Sequence, residues 1–366
     1  MNQRSTVSVW IGTRKGAFVF RSTDREHWES DGPFFPGIEV NHVVQDPREP
    51  SYIYAATATS WFGPHFQVSA DGGRTWNLAE EGLTVSGCLP DASLKRLWHI
   101  EAGVGSDPGT IYLGADPGVL FRSRNRGQDW EVVEGLTKHA SRGAWGEGAG
   151  GMMIHSFGCL GSGKLIAGMS VGGAFRTTDD GATWEPFNGG VLADFRPDPF
   201  PEVGQCVHKL RAHPRNPGLL FQQNHCGVYR AEFSGSEWTD ISEGLPSRFG
   251  FALAVPAAEE RTLFTVPVDS PEQRYTPGGR LRVARSRDAG ASWELLENGL
   301  PQVNAYPLVL REAMDSDQHD PAGIYFGTSG GALFYTRDAG DSWQTLAEHL
   351  PPVYSVSVTE VDTEVH

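Results

Sequence analysis

Four histidines stand out by their spacing. His42 precedes Ile53 by 11 residues, His99 precedes Ile111 by 12, His155 precedes Leu165 by 10 and His208 precedes Leu219 by 11. Each follows-on residue belongs to an apolar, strand-like run, so four imidazoles fall at nearly one position of a repeating unit. Imidazole is the commonest side-chain ligand for zinc, copper and iron. Three or four neutral imidazoles around an open position suit a catalytic metal. We therefore expect His42, His99, His155 and His208 to bind a transition metal ion (Zn, Fe or Cu). Glu101, Glu147 and Glu202 lie close enough in sequence to orient a ligand or serve as a base. His65, His225, Trp61 and Trp145 are candidates for a wider pocket. The bland explanation is that a histidine at one strand position is a satisfied polar residue, which repeats duplicate without function. Cys206 and His208 alternate onto one face as a ligand pair would, although Cys206 reads better as a small buried hydrophobe.

What positions these residues is a repeat. Seven tryptophans, Trp28, Trp76, Trp130, Trp184, Trp238, Trp293 and Trp343, are separated by 48, 54, 54, 54, 55 and 50 residues. A period near 50 is the mark of a repeat architecture. Four of the seven close a clear motif. Ser69 to Trp76 reads S-x-D-x-G-x-T-W, Thr177 to Trp184 reads T-x-D-x-G-x-T-W, and Ser286 to Trp293 and Thr336 to Trp343 end in S-W. Ser123 to Trp130 is a looser copy with Asn125 for the Asp, and the stretches ending at Trp28 and Trp238 keep little besides the indole. The Asp can accept backbone N–H bonds and close a tight turn. The Gly supplies a positive φ, the hydroxyls bond locally, and the Trp carries apolar surface to the core. The motif is a hairpin staple, and its carboxylates are structural.

These residues resemble the Asp-box, or BNR repeat, of the sialidase-like superfamily. The resemblance implies an all-β fold, a seven-bladed β-propeller of four-stranded blades, with one domain over 1–366 and turns near 22–28, 69–76, 123–130, 177–184, 234–238, 286–293 and 336–343. In repeat three the four strands fall at Arg96 to Ala102, Thr110 to Gly114, Gly118 to Arg122 and Trp130 to Val133. Val7 to Ile11 matches a second strand with no first strand before it, and Val353 to Val358 is left over at the other end. The C-terminal strand is therefore expected to join the first blade and close the ring. No stretch shows a convincing amphipathic helix.

In such a ring the connections between blades share one face with those between second and third strands, and the Asp-box turns lie on the other. The first face carries long loops, Thr57 to Phe66, Gly135 to Gly151, Gly189 to Gln205 and Val266 to Arg280. Blades six, seven and one offer Phe249-Gly250-Phe251, Ala305-Tyr306 and Tyr354-Ser355 where the others have histidine, which suggests a half-polar, half-aromatic pocket. Sialidases would require an Arg triad headed by an F-R-I-P motif. No such motif occurs here, and Arg14, Arg21, Arg142, Arg196 and Arg248 match no family pattern.

A net charge of −15, from 30 basic and 45 acidic residues, argues against nucleic acid or an anionic membrane as partner. No apolar run reaches 18 residues, the N-terminus has no signal core, and the four cysteines lack metal-finger spacing. A cytoplasmic protein is expected, with a small-molecule substrate. The expected function is a metal-dependent enzyme acting on a small organic molecule at the histidine-lined mouth of the channel. The alternatives are a sialidase-like glycoside hydrolase without metal, and a non-catalytic scaffold for a protein or peptide.

Overall fold

Short runs of alternating apolar residues, punctuated by glycine-rich turns, pair with their sequence neighbours into seven four-stranded antiparallel sheets. The structure, a computed structural model, describes residues 5–103, 109–148 and 150–362. Six sheets use consecutive strands, and the seventh combines Val353–Asp362 with Ser5–Thr13, Gly16–Ser22 and Glu29–Phe34. The ring is a seven-bladed propeller whose first blade takes its innermost strand from the C-terminal segment. In that seam Val9 faces Val358 and Ile11 faces Val356. Repeat three has strands Arg96–Ala102, Ile111–Asp116, Val119–Ser123 and Glu131–Val132, close to the expected spans.

The core is distributed between blades. Phe66 and Tyr54 of blade 2 pack with Leu113, Phe121 and Trp130 of blade 3, all buried. The tryptophan indoles fasten turns in two ways. Trp76 and Trp184 donate to the Gly73 and Gly181 carbonyls of their own turns, both at 3.1 Å. Trp130, Trp238 and Trp293 donate instead to Ala79, Phe187 and Ile241 of the preceding blade. The turn carboxylates are consumed locally. Asp71 accepts the Thr75 N–H at 2.9 Å and the Thr75 hydroxyl at 2.6 Å, and Ser69 donates to it at 2.8 Å. The main acceptor link thus reaches four residues ahead. The hydroxyl and N–H donors hold Asp71, Asp179 and Asp288 down at about 2. Gly73 sits at φ 95°, where a side chain would also meet Trp10.

Turns between first and second strands pack against these staples, as Gly72 N–H to Ser51 O and Asp180 N–H to Gly163 O show, both at 2.9 Å. One departure from the all-strand expectation lies in the long loop after blade 3. Glu134–Thr137 forms one α-helical turn and Ala140–Ala144 a 3-10 turn. At this length helix is set by tertiary packing, because Leu136 is buried, and no 3.6-residue periodicity can develop. Among the described residues no helix is long and apolar enough to cross a membrane.

Candidate active site

Each innermost strand of blades 2 to 5 carries a one-residue bulge, and the bulge decides where each histidine points. Pairing steps from Val40 to His42, from Leu97 to His99, from Ile154 to Ser156 and from Val207 to Lys209. His42 and His99 therefore occupy the position after the bulge. His155 and His208 are themselves the skipped residues, and Ser156 and Lys209 take the position equivalent to His42. Strand side chains alternate, so a shift of one residue changes the direction of the group. The four imidazoles are not brought to one point.

His42 and His99 stack face to face, with ring centroids 5.1 Å apart. Between them and Lys209 lies Glu312, just before the innermost strand of blade 7, Met314–Ser316. His99 Nδ1 is 3.3 Å from Glu312 Oε2, and its Nε2 is 3.3 Å from Glu101 Oε2. Lys209 Nζ donates to the same Glu312 oxygen. The Ile100 N–H donates to His42 Nδ1 at 3.0 Å, which leaves the His42 proton on Nε2, facing Ser357 Oγ at 3.2 Å. Burial alone would raise the Glu312 carboxyl, but Lys209, His99 and His42 hold it well below the usual carboxylate range.

Burial pushes His42, His155 and His208 well below the ordinary imidazole value. Burial also disfavours the His99 imidazolium, but the Glu312 charge and the bonds to Glu101 and Glu312 outweigh it and raise its pKa. Unfolded imidazoles titrate near pH ~6.5. Below that value the unfolded chain binds protons at three sites that the folded chain leaves empty. Stability should thus fall as pH drops below about 6.5, by up to about tenfold in the unfolding constant per pH unit for each histidine. His99 contributes fully below about 6.5 and its share is lost as pH rises through its raised folded value. Urea midpoints measured from pH 5 to 9 should peak near neutrality with a steep acid limb. A flat acid side would show that these rings are not held neutral.

The Glu312 cluster borders a cavity of about 250 Å³ that also includes Glu101, Arg211, Asp315 and Thr359. Pro47 and Gly103 line it too, and both follow innermost strands, so it opens at the end of the channel that carries the aspartate–tryptophan turns and not among the long loops. An adjoining cavity of about 390 Å³ shares Pro47, Arg211, Asp315 and Val358. Asp315 is fixed by Arg211 at 3.1 Å and by the Val358 N–H at 2.9 Å. A larger cleft of about 530 Å³, lined by Arg230, Glu237 and Glu260, holds none of the expected site residues.

At the loop-rich end His208 joins different neighbours. Its ring stacks on Phe251 at 4.6 Å and meets His225 edge-on at 5.6 Å, with Phe249 against both. The expected pairing of histidine with blade-6 aromatics is therefore present. Tyr306 is not part of it, since it is 58% exposed and packs on Tyr275. His155 is fully buried, and its Nε2 finds no hydrogen-bond partner among the described residues.

The other expected residues are scattered. Glu147 is exposed beside Lys95 at 3.7 Å, and Glu202 is exposed. His65 is tied to Glu80 at 2.6 Å. Trp145 is buried against Phe175 and donates to Ser141, so it serves packing. Trp61 stands 89% exposed on its hairpin. Residues passed over in the sequence are Glu312, Lys209, Arg211 and Asp315. One signal was available: Lys209 and Arg211 put two cations into a strand otherwise read as innermost.

The class these features define is a seven-bladed propeller with a charged cavity on its axis. No family model matches the chain. The fold is that of a seven-bladed propeller, and the likeness of its turns to the Asp-box is a resemblance of motif alone. A stretch of 155 residues is 26% identical to an oligoxyloglucan-reducing end-specific xyloglucanase of Emericella nidulans, covering 41% of this chain and 17% of that protein. A xyloglucanase of Hypocrea jecorina is 25% identical over 142 residues, 37% of this chain and 15% of its own length. The chain thus spans under a fifth of the length of these curated relatives. Among solved structures, a GH74 enzyme of Niastella koreensis superposes with TM-score 0.59 at 16% identity, over 92% of this chain and 52% of that one. YCF48 bound to D1 peptide superposes with TM-score 0.54 at 15% identity, over 84% and 82%. At such identities these structures show the shared fold.

The comparisons correct the expectation of a metal-dependent enzyme acting on a small organic molecule, because the curated relatives are xyloglucanases. The geometry supplies a physical reason. The bulges separate His155 and His208 from His42 and His99, and the Lys209 ammonium already neutralises the carboxylate that the latter two share.

Proposed function

We propose that this chain is a glycoside hydrolase that acts on a glycan with two carboxylates, Glu101 and Asp315. One observation carries the proposal. These carboxylates come from blades 3 and 7, face one polar cavity, and are each held by fixed partners. Glycoside hydrolysis needs one group to protonate the leaving oxygen and another to activate water or attack the sugar. Glu101 Oε2 lies 3.3 Å from His99 Nε2, Glu312 stabilises the His99 imidazolium, and this pair serves as the acid. Asp315, clamped by Arg211 and the Val358 N–H, serves as the carboxylate base. The sequence similarity to xyloglucanases supports a glycan as substrate.

Hydrolysis should be assayed on xyloglucan oligosaccharides and a panel of other glucans. Glu101→Gln and Asp315→Asn should each lower the rate by about 10²–10⁴-fold, the usual weight of acid–base catalysis, with melting temperatures retained. Full activity in both variants, or no hydrolysis of any glycan by the parent, would reject the proposal. A second reading, a peptide-binding scaffold, draws on the near full-length likeness to YCF48 and on Trp61 and Phe62, 89% and 79% exposed on the loop-rich face. Peptide binding that depends on those two rings, without hydrolysis, would favour it.

A further inference from the structure

We propose that Cys206, His208 and His225 form a binding site for a thiophilic divalent cation of the zinc class, at the loop-rich end of the channel. The site is separate from the axial carboxylate cavity, and no step of hydrolysis runs through it. The ligand atoms of the three residues lie within 4.8 Å of one another. The backbone builds this proximity in two ways. The His225 N–H donates to the Cys206 carbonyl at 3.0 Å, which docks the turn after Asn216–Asn224 onto the start of Val207–His213. The bulge at His208 then turns that ring away from the Glu312 cluster and towards His225. Bulges re-aim side chains in this manner.

The chemistry of the donors agrees with their placement. His208 Nδ1–H donates to the Gly250 carbonyl at 2.6 Å, so the lone pair lies on Nε2. Metal-bound histidines are typically oriented by a backbone carbonyl on the opposite nitrogen. Among the described residues neither His208 Nε2 nor the His225 ring makes a hydrogen bond with a protein group. A ligating imidazole must be neutral, with its lone pair free for the metal. Burial raises the Cys206 thiol, whereas Arg311 and the Val171 N–H favour its thiolate. A bound cation deprotonates a coordinating thiol outright. One sulfur and two imidazole nitrogens select zinc-class ions over magnesium or calcium, which take oxygen donors. Zinc bonds of ~2.0–2.3 Å would need the ligand atoms drawn closer than 4.8 Å, a side-chain adjustment on the order of 1 Å. His225 is only half-buried, while Phe251 stacks on the His208 ring and Phe249 meets the His225 ring edge-on.

The test uses full-length protein without a polyhistidine tag, treated with chelator and titrated with Zn²⁺ by calorimetry and with Co²⁺ by absorption. One ion should bind per chain, and Co²⁺ should show a thiolate-to-metal charge-transfer band. Cys206→Ser should abolish that band. Cys206→Ser and His225→Ala should each weaken Zn²⁺ binding by at least the ~10–100-fold that loss of a mere orienting partner costs. His319→Ala, in the separate Asp317–His319–Glu360 group, should leave binding unchanged. Because His225 is half-buried, its variant should keep the parental melting temperature even if Cys206→Ser does not. Absence of binding at micromolar Zn²⁺, a cobalt spectrum without the thiolate band, or parental affinity in His225→Ala would overturn the assignment. None of these readouts depends on glycan hydrolysis.

Discussion

Replacing Lys209 by methionine should destabilise the propeller by about 3–5 kcal/mol, the loss expected when one partner of a buried ion pair is removed. Against a total stability of about 5–15 kcal/mol for a folded protein, that is a large fraction. Lys209 is fully buried, and its ammonium sits on Glu312, which is 3% exposed. Glu312 Oε1 has no hydrogen-bond partner among the described residues, so Oε2 carries nearly all of the compensation for a buried charge. Without Lys209, no lysine or arginine among the described residues is ion-paired with that carboxylate: His99 and His42 remain beside it, and Arg211 and Arg311 act on it from beyond ion-pair distance. Methionine fills the space of the lysine stem, so the effect is electrostatic and not a cavity. Equilibrium urea unfolding measures it. Adding Glu312→Gln should recover part of the loss, because the orphaned charge goes with it. Wild-type stability in Lys209→Met would show that the pair is not buried as described.

Deleting the innermost strand of blade 1, Val353–Asp362, should abolish the cooperative thermal transition. This strand buries Val353, Ser355 and Val356 almost completely and pairs along nearly all of Ser5–Thr13. It also joins the last blade through Val353 N–H to Thr328 O and Val356 N–H to Glu312 O. Its loss would leave the Ser5–Thr13 edge without partners and the axial core open to water. An unpaired buried N–H or C=O costs about as much as a lost hydrogen bond, and here a whole ladder is affected. Circular dichroism against temperature reads the outcome. A truncated chain that melts like the parent would refute closure by this strand.

Much of the architecture was legible because its signals are local. The turn from Ser69 to Trp76 is written in adjacent residues, and its carboxylate and hydroxyl bonds fall within the motif, with the Gly72 N–H on the neighbouring turn. Strand spans followed from alternation, and ring closure from a missing first strand balanced by a leftover last one. Trp145 was misread for the opposite reason. A tryptophan in a long glycine-rich loop resembles a pocket wall, whereas Phe175 of the next blade covers it.

By itself the sequence determined a ring of seven sheets, the end of each sheet that carries the staples, and the seam that closes the ring. These depend on periodicity and turn chemistry, which a linear chain displays. Only the tertiary structure decided what the histidines do. Counting residues placed four of them within a spread of two positions, and in a strand a single position is the difference between two opposite directions. The bulges at Asn41, Trp98, His155 and His208 resolved that parity. They sent His42 and His99 to Glu312, and His208 to Cys206 and His225. Glu312 itself, 213 residues from His99, is brought to the axis only when the ring closes.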